Sequence, residues 1–307
     1  MRDAFQGTSR FARPTPKPTD VRGGCDFPDI ENGDPGNTRP ALLLIGDSGT
    51  GKSFGIRRLL EGNKKILVLD VENKTAEIEA YGPKVIRIGA PYHEGTTLRQ
   101  PTYTEQYRRL QFFAQELRNG KFREHAGETF DILAIDGLME LAEVFRRYHV
   151  VENPPKSEKK DGDDIRAGYG LAGMKTIDFI KDLKNAASVA SKLFGFAPMG
   201  LVATCGEKKK LDKFGNLTCF EPILPGNITP DMLPFQFGAI VRLDVERDEV
   251  TNAPSYIAHT VRSDKWFAKV PSGLFEPKEV MNEEHDMNWI YDTLLNYYQN
   301  TGTRETK

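Results

Sequence analysis

Three cysteines in 307 residues, Cys25, Cys205 and Cys219, are too few and too scattered for a disulfide framework. Their odd number suits a reducing compartment. The five histidines show no H-x-x-x-H pairing and no cysteine partner, so a zinc site is not expected. Charge of one sign is not in excess either: 42 Lys and Arg against 44 Asp and Glu leave a net charge of −2. Any nucleic-acid contact must therefore come from a local patch, not from the field of the whole molecule. No apolar run approaches the ~20 residues that a membrane-spanning helix needs. The opening stretch, Met1 to Arg13, is polar and lacks the apolar core of a secretory leader. A soluble, cytoplasmic protein is expected. G-x-S-x-G nucleophile motifs and internal repeats are also missing.

What is present centres on Ala41 to Phe54, ALLLIGDSGTGKSF. The apolar run Ala41–Ile45 reads as a buried strand, and Lys52 to Leu60 reads as a helix. Between them Gly46, Gly51, Lys52 and Ser53 fill the G-x-x-x-x-G-K-[ST] pattern in the strand–loop–helix context that it requires. Glycines let successive backbone amides converge on one concavity that binds phosphate oxygens. The positive end of the following helix adds to that field. The loop residues Gly46, Asp47, Ser48, Gly49, Thr50, Gly51, Lys52, Ser53 and Phe54 are the expected ATP-binding set. Lys52 is expected to reach the β- and γ-phosphates, and Ser53 to ligate Mg2+.

Apolar strands then alternate with helical patterns. Lys65–Asp70, Val85–Ile88, Phe130–Asp136 and Gly200–Cys205 read as strands. Thr102–Asn119, Leu138–Tyr148 and Leu171–Leu193 read as helices. Such alternation gives an α/β fold: a mainly parallel sheet with helices on both faces and the ligand at the strands' C-terminal ends. Ala239–Val245 and Ser255–Val261 suggest a late β-hairpin. Residues 1–38, rich in Pro, Gly and charge, read as an extended or disordered arm. The core is expected over 39–272, and a helical tail over 273–307. Two polar stretches, Val151–Gly170 and Gly206 to about Pro234, read as long loops.

Two acidic positions bear on the chemistry. Asp136 closes an apolar strand and suits a magnesium ligand. The next residue, Gly137, argues against the large group of P-loop ATPases whose base directly follows that aspartate. The other is Glu72, after the second strand, the one that follows the phosphate-loop helix.

The order Gly46–Ser53, Asp70-Val-Glu72, Asp131–Asp136 and Val202-Ala-Thr204 resembles the RecA-type ATPase core. That resemblance implies a base at the end of the strand after the phosphate-loop helix, where Glu72 stands, with Asp70 competing. More narrowly, with Pro222–Gly226 and Leu233–Arg242, the chain is similar to phage-encoded nucleotide-binding proteins that act as RecA-like single-strand annealing proteins. Where such families often carry a polar γ-phosphate sensor, Cys205 and Gly206 stand. That leaves the role to Thr204 or to a residue not identified. The resemblance implies rings or filaments, with a cation from one subunit completing the next subunit's site. Arg262, Lys265 and Lys269 are the candidates. It also implies single-stranded DNA held by two loops, here with Lys159, Lys160 and Arg166 in the first and Lys208, Lys209, Lys210 and Lys213 in the second. Lysines neutralise phosphates without reading sequence, and a nearby aromatic can stack a base.

The expectation is a magnesium-dependent RecA-like ATPase acting on single-stranded DNA in recombination or annealing. Its expected partners are further copies of itself and a single-strand binding protein, in a host cytoplasm if the chain is phage-encoded. A helicase or packaging-type motor, and a nucleotide-gated scaffold with little hydrolysis, are the competing readings.

Overall fold

The computed structural model describes residues 39–73, 76–125, 128–152, 161–224 and 232–301. The expected arm, residues 1–38, lies outside them. In chain order the elements are β1 (Ala41–Gly46), α1 (Lys52–Glu61), β2 (Ile66–Asp70), α2 (Ala76–Glu79), β3 (Lys84–Arg87), β4 (Tyr92–Glu94), β5 (Thr97–Arg99) and α3 (Tyr103–Arg118). They continue with β6 (Glu124–His125), β7 (Glu128–Thr129), β8 (Ile132–Asp136), α4 (Leu138–Arg146), a π-helical turn (Arg147–Glu152) and α5 (Asp161–Phe194). Then follow β9 (Gly200–Leu211), β10 (Leu217–Pro222), β11 (Ala239–Arg247), β12 (Pro254–His259), β13 (Lys278–Val280) and α6 (Met287–Thr301).

The main sheet runs β13-β12-β11-β1-β9-β8-β2-β3, with β10 on β9. From β11 to β3 every pairing is parallel; β12, β13 and β10 pair antiparallel. Parallel strands need both faces covered, which is why β1 is buried along its whole length. Its side chains alternate between two cores, as the two-residue period of a strand demands. Leu43 and Ile45 pack with Phe113 of α3, Phe145 of α4 and Ile180 of α5. Leu42 and Leu44 pack with Ile56 and Leu59 of α1 and with Ile290 and Leu294 of α6. The C-terminal helix is thus part of the second core.

Parts of two stretches expected as loops are regular. The first polar stretch turns helical at Asp161, ahead of the expected Leu171. Its polar residues and glycines gave no apolar period by which a helix could be read there. Gly168 lies close to the π-helical turn, where a Cβ would meet Val150 Cγ2 at 3.2 Å. The second stretch is a hairpin: β9 continues past Gly206 to Leu211 and returns as β10. Residues 208–211 are all exposed, so no apolar alternation marked them as strand. The Asp212 carboxylate fixes the turn by accepting from the amides of Phe214 and Asn216 at 2.8 and 2.9 Å.

Candidate nucleotide site

Strand β1 stops where side chains no longer fit. A Cβ on Gly46 would stand 2.4 Å from Thr50 Oγ1 and 2.6 Å from the Leu243 carbonyl oxygen. The loop then folds on itself: Thr50 Oγ1 donates to the Asp47 carbonyl at 2.9 Å, and the Ser48 amide donates to Asp47 Oδ1 at 2.7 Å. Gly49 and Gly51, at φ +79° and +91°, take left-handed conformations that other residues avoid. Gly51 precedes α1 without a side-chain cap, so the helix's first amides keep their capacity for an anion. Lys52 Nζ donates to the carbonyls of Gly46 and Asp47 at 2.9 and 2.6 Å. Burial lowers its pKa, opposed by the Cys205, Asp47, Glu207 and Asp136 charges.

The acids stand at the ends of neighbouring strands, Asp70 of β2 in register with Asp136 of β8. Asp136 is buried and accepts from Thr204 Oγ1 at 2.7 Å, while Thr204 accepts from the Gly137 amide at 3.0 Å. The Thr204 hydroxyl is thereby committed to orienting Asp136. Desolvation raises the Asp136 pKa; the like charges of Glu72 and Asp70 add to it, and hydrogen bonds from Thr204 and Ser53 oppose it. Ser53 Oγ lies 3.4 Å from both carboxylate oxygens. That is long for a hydroxyl hydrogen bond, and two hard oxygen donors left this far apart suit a shared Mg2+.

Glu72 and Asp70 part company. Glu72 lines the cleft; Asp70 has no exposed surface and accepts the Asn73 amide at 2.7 Å, with Arg87 Nε 3.8 Å away. The cleft, about 590 Å³, takes in residues 47–49 and 51–54, Glu72, Asp136, Thr204, Glu207 and Tyr256. A second cavity of about 340 Å³ shares Gly51, Phe54 and Tyr256 with it and extends over Met281, Asn282 and Met287. Tyr256 lies against the loop, its ring 3.7 Å from where a Gly51 Cβ would be. Sequence reasoning missed Tyr256, Glu207 and the Met281–Met287 segment. Only Glu207 carried a signal, as the first polar residue beyond Cys205-Gly206.

The remaining candidates lie apart. Arg262 stacks on Phe267 at 5.2 Å, the Lys265 carbonyl accepts the Phe220 amide at 2.6 Å, and Lys269 pairs its backbone with Ile240. None of the three lines its own chain's cleft. Lys208, Lys209 and Lys210 are exposed on the β9–β10 hairpin; Lys208 and Lys210 reach Glu221 at 3.2 and 3.1 Å. Lys213 caps the exposed ring of Phe214 at 4.9 Å. Lys159 and Lys160 lie outside the described residues, as does the side chain of Arg166, whose backbone is in α5.

The parallel core, its glycine loop after β1 and the acids at the ends of β2 and β8 define the RecA-like P-loop NTPase fold. A family model described as an AAA domain, AAA_24, matches residues 38–272, and the chain belongs to that family. Among solved structures, the flagellar accessory protein FlaH from Methanocaldococcus jannaschii is similar at 12% identity and a TM-score of 0.37, over 83% of this chain and 91% of that one. A KaiC-like protein from Pyrococcus horikoshii OT3 is similar at 10% identity and a TM-score of 0.32, over 72% and 77%. No curated protein matches the chain. Among the described residues no helix is long and apolar enough to cross a membrane.

Proposed function

We propose that the chain binds ATP with Mg2+ across the two joined cavities, hydrolyses it, and couples that cycle to single-stranded DNA in recombination or strand annealing. The triphosphate sits in the larger cleft, on the loop amides and Lys52. Ser53 and Asp136 hold the metal, which neutralises phosphate charge when bound. Glu72 orients and deprotonates the attacking water. The nucleoside enters the smaller, mostly apolar cavity, packing on Tyr256.

The observation that carries the DNA reading is continuity. Strand β9 supplies Thr204 and Glu207 to the cleft, and directly beyond Glu207 it presents Lys208–Lys210 at the base of a hairpin tipped by Lys213 and Phe214. Exposed lysines beside an exposed aromatic match the chemistry of a single strand: phosphates neutralised, a base stacked. The annealing specificity itself rests on the resemblance to phage-encoded annealing proteins. Self-assembly is supported by charge. Among the described residues, Lys52 is the one cation lining a cleft that also holds Asp47, Glu72 and Asp136. A cation from a second copy, Arg262, Lys265 or Lys269, would complete it and contribute ~10³–10⁵ in rate.

ATP turnover measured with Mg2+, with and without single-stranded DNA at low salt, tests the reading. Stimulation by single strands is expected. Unwinding of forked duplexes would favour a motor, and tight ATP binding without turnover would leave a nucleotide-gated scaffold.

A further inference from the structure

Glu207 follows Gly206 on β9 and forms part of the cleft wall at 6% exposure. A carboxylate so placed repels a triphosphate unless its charge is cancelled. Arg242 cancels it from β11: Nε donates to Oε2 at 2.9 Å and Nη2 to Oε1 at 2.8 Å. The arginine is itself only 4% exposed. Its Nη1 donates to Asp244 Oδ2 at 2.7 Å, and the rings of Phe220 and Trp266 flank the guanidinium at 4.7 and 5.2 Å. Four segments of chain thus converge to fix one guanidinium: β9, β10, β11 and the stretch after β12.

Stability alone is a weak reason for such a pair, because buried ion pairs are often no better than apolar packing of the same volume. Orientation is a stronger one. A bidentate fork sets the plane of a carboxylate, which a single-point ammonium does not do. It also leaves acceptor capacity on both carboxylate oxygens. We propose that Arg242 is a positioning residue for nucleotide turnover, acting through Glu207. It holds that carboxylate at the cleft wall, neutralised and fixed in plane, as an acceptor that orders water beside the phosphates. Glu72 keeps the role of base. The inference rests on the ATP-hydrolysing reading of the cleft.

The test compares steady-state ATP hydrolysis of the full chain with its Glu207→Gln, Arg242→Lys and Glu207→Gln/Arg242→Lys variants, alongside thermal melts. Glu207→Gln and Arg242→Lys are each expected to lower kcat by ~10- to 100-fold while KM stays within about threefold. The double variant should be no worse than the poorer single one, since the two residues act as a unit. Glu207→Gln preserves volume, so it decides the matter if an arginine variant fails to fold. An unchanged kcat in Glu207→Gln overturns the inference. So does a raised KM at constant kcat, which would mean charge cancellation alone, and so do additive losses in the double variant. A wild-type chain that binds ATP without turnover instead overturns the hydrolysis reading, and the inference with it.

Discussion

Gly137 makes room for Glu72. A Cβ on Gly137 would stand 2.6 Å from Glu72 Cγ and 2.8 Å from its Oε1, and the glycine holds φ at +96°. In the sequence, Gly137 after Asp136 spoke only against one arrangement, the base placed directly after the metal acid. In the fold the same glycine lets a carboxylate arrive from the end of the neighbouring strand. The two loops are matched: a side chain at one position excludes the side chain at the other.

Gly137→Ala should therefore act on Glu72 as well as on its own backbone. It is expected to cost ~1–2 kcal/mol of stability for the left-handed turn. Turnover should fall ~10²-fold as the carboxylate is displaced, with ATP affinity retained. Glu72→Gln should also keep ATP binding and lose ~10²–10⁴ in turnover. Asp70→Asn is the control. Asp70 is buried and holds the Asn73 amide, so its loss should lower the melting temperature while folded molecules still turn over. The opposite pattern, an active Glu72→Gln and a dead but stable Asp70→Asn, would hand the base role to Asp70.

Asp136 sets a pH dependence. Its pKa is raised in the fold, chiefly by desolvation, so the folded chain holds the proton more tightly than the unfolded chain. The unfolded state then binds fewer protons between the two values. Stability without metal consequently falls as pH rises from the ordinary carboxylate range through the raised pKa. Asp136→Asn should remove that fall. Without Mg2+ it should melt above the wild type at neutral pH, match it in acid, and lose magnesium-dependent turnover. Melting curves across pH decide this, and a variant less stable than wild type at neutral pH counts against it.

The legible parts of the molecule were those that burial writes into local pattern. Strands covered on both faces must be continuous apolar runs, so Ala41–Ile45 and Lys65–Asp70 stood out within a residue of their ends, and β9 was legible from Gly200 only as far as it stays in the core. The phosphate loop was legible because its conformation demands glycines at fixed spacing. Where a strand leaves the core, as β9 does beyond Glu207, nothing apolar marks it, and its lysines looked like a loop. The wall formed by Tyr256 with Met281 and Met287 was invisible for another reason. It is assembled on a loop some two hundred residues earlier, and no local pattern records that proximity. The Glu207–Arg242 pair hid in the same way, its two residues lying 35 positions apart on separate strands.

Tyr256 gives a binding prediction separable from the chemistry. Its ring lies on the loop at Gly51 and lines both cavities. Tyr256→Ala should weaken ATP binding by ~1–3 kcal/mol, the worth of an aromatic stack on a base, and raise KM with little change in kcat. Tyr256→Phe should bind like wild type. Titration with a fluorescent ATP analogue measures both. Wild-type affinity in Tyr256→Ala would place the nucleoside elsewhere.

The hairpin lysines can be separated by their partner. Glu221 engages both Lys208 and Lys210, and its own pKa, raised by desolvation, is lowered overall by these two ammoniums. A DNA phosphate must compete with that carboxylate. Replacing Lys208, Lys209 and Lys210 together by alanine should weaken single-strand binding and flatten the dependence of log K on log salt. The slope should change by ~0.7 for each phosphate left without its lysine. Glu221→Gln should do the reverse, releasing Lys208 and Lys210 from that carboxylate and tightening binding at low salt. Fluorescence anisotropy with a labelled oligonucleotide over a salt series reads both. If the triple variant keeps the wild-type slope and Glu221→Gln binds no tighter, the hairpin is not the DNA surface, and Lys208 and Lys210 serve to hold Glu221.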